Sequence, residues 1–390
     1  MTIVNIDRRN FCQSVSGIAL AAGMRGTSAQ TSSLPNKIPD RASGVNCFDL
    51  FYGQLFNHRG VRHASERFKE LRRGDIPFVR FSASPFWPKE WSIYRNDPVG
   101  YFGVLDEVVA AAENNRVGLV PSLFWNPVSV SDIVGEPVSD WGRPDSRTRA
   151  FMVEFTEKVV ARYRHSEAIW MWEFGNEFNA YADLPNALTW WPKVDVSMGT
   201  PAKRSAADLI SAVSCADAFS HFGRIVRRLD PVRYVSSGTD IPRYNASNLA
   251  TGKWIADSPP QFRAAIKQVT PDPLDVISIH LYPDREGKYF GSIKSSQFAD
   301  ILSEVALVGK AFRKKIFVGE FGVARMKDKD EEKVKLRRLL DSFVSMQVNW
   351  AALWVYDRIN DHDWSTRFDN DRAWQLELVA QTNETFRTES

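Results

Sequence analysis

The chain has 390 residues, 44% hydrophobic and 25% charged, the balance of an ordinary globular protein. Its formal charge is +3, of which positions 1–30 supply +2 (Arg8, Arg9 and Arg25 against Asp7), so the remaining chain has almost no basic excess and a nucleic-acid partner is not expected. No apolar run approaches the roughly 18 residues that a membrane span requires, so no span is expected either.

In chain order the first feature is an address. Arg8 and Arg9 precede Asn10 and Phe11, a mildly apolar "CQSVSGIALAAGM" and a small-residue "RGTSAQ". This resembles a twin-arginine export signal over residues 1–30 with cleavage near Ala29, and it predicts a periplasmic or secreted protein. Cleavage would remove Cys12 and leave Cys47 and Cys215, which are too far apart to announce a disulfide framework. Two buried thiols are expected.

Beyond this segment two periods alternate. Short β-rich runs fall at residues 45–51, 77–81, 117–124, 168–174, 233–237, 275–280, 315–321 and 349–356. Helix-period segments fall between them at 64–73, 100–114, 146–165, 206–229, 261–268, 296–312 and 330–346. Eight strands alternating with helices predict a parallel (β/α)8 TIM barrel, one domain over residues 40–390. Connections into the strands are short, as in "LDPVR" (Leu229–Arg233), whereas those after the third, fourth and fifth strands are long and rich in Trp, Pro and Gly. In this fold the loops after the strands build the functional face. The mixed-sign run "RMKDKDEEKVKLRR" (Arg325–Arg338) is a solvated helix start rather than a binding patch.

The strand ends concentrate chemistry on that face. The second ends at Arg80 with Trp87 and Trp91 close behind, the third at Trp125 and Asn126, and the fourth at Asn176 and Glu177. The sixth ends at His280 and Tyr282, the seventh at Glu320 and the eighth at Trp354. Cleaving a glycosidic bond needs a proton donor and, in the retaining version, a carboxylate nucleophile about 5–5.5 Å away. The ends of strands four and seven face each other across a barrel mouth and could meet at that distance. Two carboxyls so close resist joint ionisation, which predicts a raised pKa for one of them. Tyr282 and Arg80 could hold Glu320 ionised, and Asn176 could bind a sugar 2-hydroxyl. Glu173 is expected to be a structural, salt-bridged residue inside the barrel. Trp170, Trp172 and Trp350 are expected in the core, and Trp87, Trp91, Trp125, Trp190, Trp191 and Trp354 on the rim, where an indole face can stack on a sugar. The remaining histidines form no HxH or HExxH spacing, so neither a metal nor another cofactor is expected.

Arg80, "GNE" at Gly175–Glu177, "HLY" at His280–Tyr282, "GEFG" at Gly319–Gly322 and Trp354 together resemble clan A glycoside hydrolases, most nearly the family 5 cellulase and mannanase group. The resemblance spans about residues 45–360. It implies that Glu177 is the acid/base, Glu320 the nucleophile, Asn176 a contact to the sugar 2-hydroxyl and Tyr282 a partner of Glu320, with retention of anomeric configuration. Substrate-binding positions are expected at Arg80, Asn176, Tyr282, Trp354, Trp125, Asn126 and Trp87, and at His280, which either touches the substrate directly or supports a residue that does. Many members carry a histidine after strand three, where this chain has Trp125 and Asn126. The expected substrate is a β-linked oligosaccharide or polysaccharide of glucan or mannan type. A non-catalytic carbohydrate-binding barrel, or a transglycosylase in which a sugar resolves the glycosyl-enzyme, would share most of these features. Two intact strand-end glutamates set the first apart, since a binder needs neither.

Overall fold

Strands buried on both faces read as continuous apolar runs, and eight such runs here pair in parallel and close on themselves. In order they are β1 (Ala42–Asn46), β2 (Phe78–Ser82), β3 (Gly118–Phe124), β4 (Met171–Gly175), β5 (Tyr234–Ser236), β6 (Val276–Leu281), β7 (Lys315–Phe321) and β8 (Trp350–Leu353), with β8 returning to β1. This computed structural model describes residues 38–184, 186, 194–291 and 297–389. The expected export segment, Trp190 and Trp191 lie outside the described residues. No helix among the described residues is long and apolar enough to cross a membrane.

The expected strand over 45–51 lies too late in the chain. β1 stops at Asn46, and Asp49–Leu55 forms a helix with Leu50 and Phe51 fully buried. A short apolar run fits a buried strand or a buried helix equally well by pattern, so packing decides. The helix Ala373–Thr388 is absent from the expected set. Its Asn383 accepts from Ser43 N (2.7 Å) and donates to Ser43 O (2.9 Å), pinning the helix to β1. The start of helix Lys329–Ser345 is capped by Asp328, whose side chain accepts from Asp330 N and Glu331 N.

The main core lies between barrel and helices, with Phe155, Phe174, Phe219 and Phe222 typical of it. Inside the barrel the lower layer is apolar: Ala42, Phe78, Val120, Met171, Val276, Phe317 and Trp350. Trp172 and Trp350 are buried and Trp170 packs on this layer, all three in the core as expected. Cys47 and Cys215 are buried free thiols. One turn higher the interior becomes polar, with Arg80, Ser122, Glu173, Ser236 and Ser278 all at 2% exposure or less.

β7 departs from strict alternation just before its end. Ile279 pairs with Val318 but His280 pairs with Glu320, and on the other side Val318 and Phe321 pair with Ala351 and Leu353. Both ladders therefore count one extra residue on β7, a bulge around Gly319. Phe317 belongs to the inner layer, while Val318 and Phe321 belong to the outer core. Without the extra residue Glu320 would share the outward face of Val318; with it, the carboxylate turns into the barrel mouth. A Cβ at Gly319 would stand 3.0 Å from His280 Nε2, so only glycine leaves that ring its ordinary clearance.

Candidate active site

The site begins at Arg80, which is fully buried on β2. Its Nε donates to Glu173 Oε1 (2.7 Å), Nη1 to Asn46 Oδ1 (3.0 Å) and Glu320 Oε1 (2.9 Å), and Nη2 to Asn176 Oδ1 (2.7 Å). One planar fork thus orders the ends of β1, β4 and β7, which a lysine ammonium could not do. Burial disfavours the guanidinium charge, but Glu173 and Glu320 more than offset this and its pKa is raised. Glu173 is the expected structural residue. It is wholly buried, and burial pushes its carboxyl up even against Arg80.

Glu320 takes its remaining oxygen's hydrogen bond from Tyr282 Oη (2.8 Å). Burial and the Glu320 charge push the Tyr282 phenol well above its ordinary range, so it stays a donor. Glu177 lies two residues past β4 in a left-handed conformation (φ +54°, ψ +29°), with its side chain 34% exposed against 7% for Glu320. Its Oε1 meets His280 Nδ1 at 2.7 Å, and that nitrogen is 3.7 Å from Glu320 Oε2. The imidazole, fully buried, stands between the two carboxylates. Glu177, His280 and Glu320 each place one ligand atom within 4.8 Å of the others. This is the group of described residues compact enough to hold a metal ion, yet both Glu320 oxygens and His280 Nδ1 already have protein partners, the pattern of a proton network.

One electrostatic expectation is overturned. Burial raises the Glu177 pKa, but the hydrogen bond and charge of His280, together with Arg80 and Arg285, lower it more, and the net direction is down. For His280 burial lowers the pKa while Glu320 and Glu177 raise it, and the net direction is up. The surroundings thus favour the charged form of the imidazole and the ionised form of Glu177.

The aromatic rim divides on inspection. Trp354 is partly exposed, stacked near-parallel with Trp125 (centroids 6.1 Å, 28°), and joined to Val355 by a cis peptide bond. Trp125 is 5% exposed and carries Arg80 Cζ 4.5 Å over its ring. Trp87 is half-buried, edge-on to Phe86. Trp91, expected on the rim, is in the core: fully buried against Phe124, Phe151 and Phe155, its indole N–H bonded to Ser129. Asn126 is 3% exposed and spends its amide on the Phe86 carbonyl and the Val128 N–H. Asn46, Asp240 and Arg285 join the site without having been chosen from the sequence. Each is a polar residue at or just past a strand end, a signal that also marks many capping residues.

A sequence family described as cellulase (glycosyl hydrolase family 5) matches residues 134–357, more than half of the chain. The chain belongs to glycosyl hydrolase family 5. It is accordingly a retaining clan A glycosyl hydrolase. No curated protein matches its sequence. Among solved structures, the fold resembles an endo-β-1,4-mannanase from Thermotoga petrophila (TM-score 0.63, 17% identity, 92% of this chain and 79% of that one). An endo-1,4-β-mannanase from Rhizomucor miehei is similar at TM-score 0.64 and 14% identity, over 90% of this chain and 96% of that one. XacCel5A, solved in complex with cellopentaose, is similar at TM-score 0.55 and 13% identity, over 88% and 99%. At such identities the likeness is one of fold.

Proposed function

We propose that this family 5 hydrolase cleaves β-mannan or β-glucan chains by double displacement, with Glu320 as nucleophile and Glu177 as acid/base. The observation that supports these roles is the meeting of the two carboxylates: ligand oxygens within 4.8 Å of each other, close to the separation of a retaining pair. Glu320 attacks the anomeric carbon as the glycosidic C–O bond breaks, and Glu177 delivers a proton to the departing oxygen. Esterified Glu320 no longer repels a charge on Glu177, which then takes a proton from water as the water's oxygen displaces Glu320. Arg80 and Tyr282 hold the Glu320 carboxylate in place by hydrogen bonds beforehand. Asn176 has its carbonyl oxygen engaged by Arg80, which leaves its NH2 for the 2-hydroxyl. His280 is hydrogen-bonded to Glu177 and orients it, and Trp354 offers the stacking face.

The test is stereochemical. Glu320→Ala with azide is expected to give the inverted glycosyl azide, because azide attacks the substrate directly from the vacated face. Glu177→Ala is expected to slow natural glycans by about 10²–10⁴-fold, to keep glycosylation by dinitrophenyl glycosides, and to give the retained azide. Exchanged stereochemistry would reverse the assignment. Reducing-end release on a panel of β-mannans and β-glucans tests the substrate class, and activity confined to α-glucans would reject it. We also infer export of the hydrolase: residues 1–35 fused to a folded reporter should reach the periplasm of a twin-arginine-competent bacterium, and a Lys pair at Arg8 and Arg9 should block it.

A further inference from the structure

The loop after β5 closes over the segment that carries Glu177. Glu177 N donates to Gly238 O (2.9 Å). Asn179 Nδ2 donates to Asp240 O (2.7 Å) and Asp240 N to Asn179 Oδ1 (2.9 Å), while Arg243 bonds the carbonyls of Ala180 and Ala182. The Asp240 carboxylate, 5% exposed, accepts from Ile241 N (2.8 Å) and from Arg285 Nη2 (3.0 Å). Arg285 stands three residues beyond Tyr282 on the β6 loop. Asp240 is therefore joined by its backbone to the Glu177 segment and by its side chain to the loop carrying His280 and Tyr282.

We propose that Asp240 and Arg285 are a positioning pair, which locks the Glu177 segment to the β6 loop and sets the pH at which that glutamate carries its proton. The inference rests on Glu177 being the proton donor. The charged and titratable groups facing the pair and Glu177 are Arg80 on β2, Tyr181 after β4, Arg243 after β5, His280, Tyr282, Asp284 and Tyr289 on β6 and its loop, and Glu320 on β7. Burial, then the Glu177 charge, push the Asp240 carboxyl up to about 7 against Arg285 and His280. Arg285 in turn is among the charges that lower Glu177. The two members of the pair thus act on Glu177 with opposite sign.

Opposite sign makes a sharp test. Asp240→Asn keeps one acceptor oxygen, for Ile241 N, puts an NH2 where Oδ2 accepts from Arg285, and deletes the negative charge, so Glu177 loses its proton earlier. On a natural glycan the basic limb of kcat/KM should move to lower pH by about half a unit to one unit. Arg285→Gln should move the same limb to higher pH, and Arg285→Lys should return it to the wild-type position. Glycosylation by a dinitrophenyl glycoside, which needs no donor, should change less than about threefold in every variant. Limbs that stay put, limbs that move the same way, or equal losses on both substrates would overturn the proposal. If Glu177→Ala itself lost both substrates equally, the failure would lie with the donor assignment and not with the pair.

Discussion

Glu320 is held within its strand by side chains, whereas Glu177 is held beyond its strand by backbone. At the end of β7 the carboxylate takes hydrogen bonds from Arg80 and Tyr282 and is nearly sealed from solvent. At the end of β4 the carboxylate is a third exposed, touches one imidazole, and owes its place to Gly238 O and the Asn179–Asp240 pair. A nucleophile must stay ionised in one place, which fixed charges secure. A donor that becomes a base must change protonation twice per turnover, which fixed charges on its oxygens would oppose. The contrast teaches that the same side chain meets two surroundings, which suit the two roles proposed for it.

The nucleophile's end should break most severely at Arg80. Arg80→Ala leaves Glu173 buried without its cation and frees Asn46, Asn176 and Glu320 from a common donor. Removing one partner of such a buried pair costs about 3–5 kcal/mol, read as a fall in denaturant midpoint together with loss of turnover. Arg80→Lys should not restore activity, because a point charge cannot reach four acceptors on three strands.

The donor's end should show itself next in the pH dependence of stability. The Asp240 carboxyl sits near 7 in the fold, above its usual 3.8, so its contribution is full below about pH 4 and is lost as pH climbs through 7. Asp240→Asn has no such loss. Its stability relative to the parent should therefore rise between pH 4 and 8, by at most about 4 kcal/mol from the size of the shift. A difference that stays flat across this window in chemical denaturation would place the carboxyl in water.

A milder break is Tyr282→Phe, which deletes one hydrogen bond to the Glu320 charge. Such a bond contributes about 1.5–3 kcal/mol, so kcat should fall roughly ten- to hundredfold with the fold intact. The smallest effect is expected away from both ends. Asn126→Ala removes a buried amide bonded to backbone, so it should cost about 1 kcal/mol of stability and leave KM unchanged; a severalfold rise in KM would return Asn126 to the substrate.

Much of this could be read in the chain before folding. Alternating periods announce eight strand–helix units, and Glu177, His280, Tyr282 and Glu320 stand out because strand-end carboxylates, an imidazole and a phenol are not needed by a scaffold. Glu173 reads correctly as structural because four residues along a strand carry it well below the mouth. Trp91 misleads because an indole on a post-strand loop looks the same in sequence whether it faces a sugar or three phenylalanines.

What the sequence alone determined is therefore the barrel and the placing of two glutamates at its strand ends, since periodicity and residue type are local properties of the chain. Tertiary structure alone decided three things. The bulge at Gly319 turns Glu320 inward, because register is set by pairing with β6 and β8. His280 comes to rest between the carboxylates, because only closure of the ring brings β4, β6 and β7 ends together. Asp240 is drawn against Arg285 and beside the donor because a buried charge must find a partner wherever the fold supplies one.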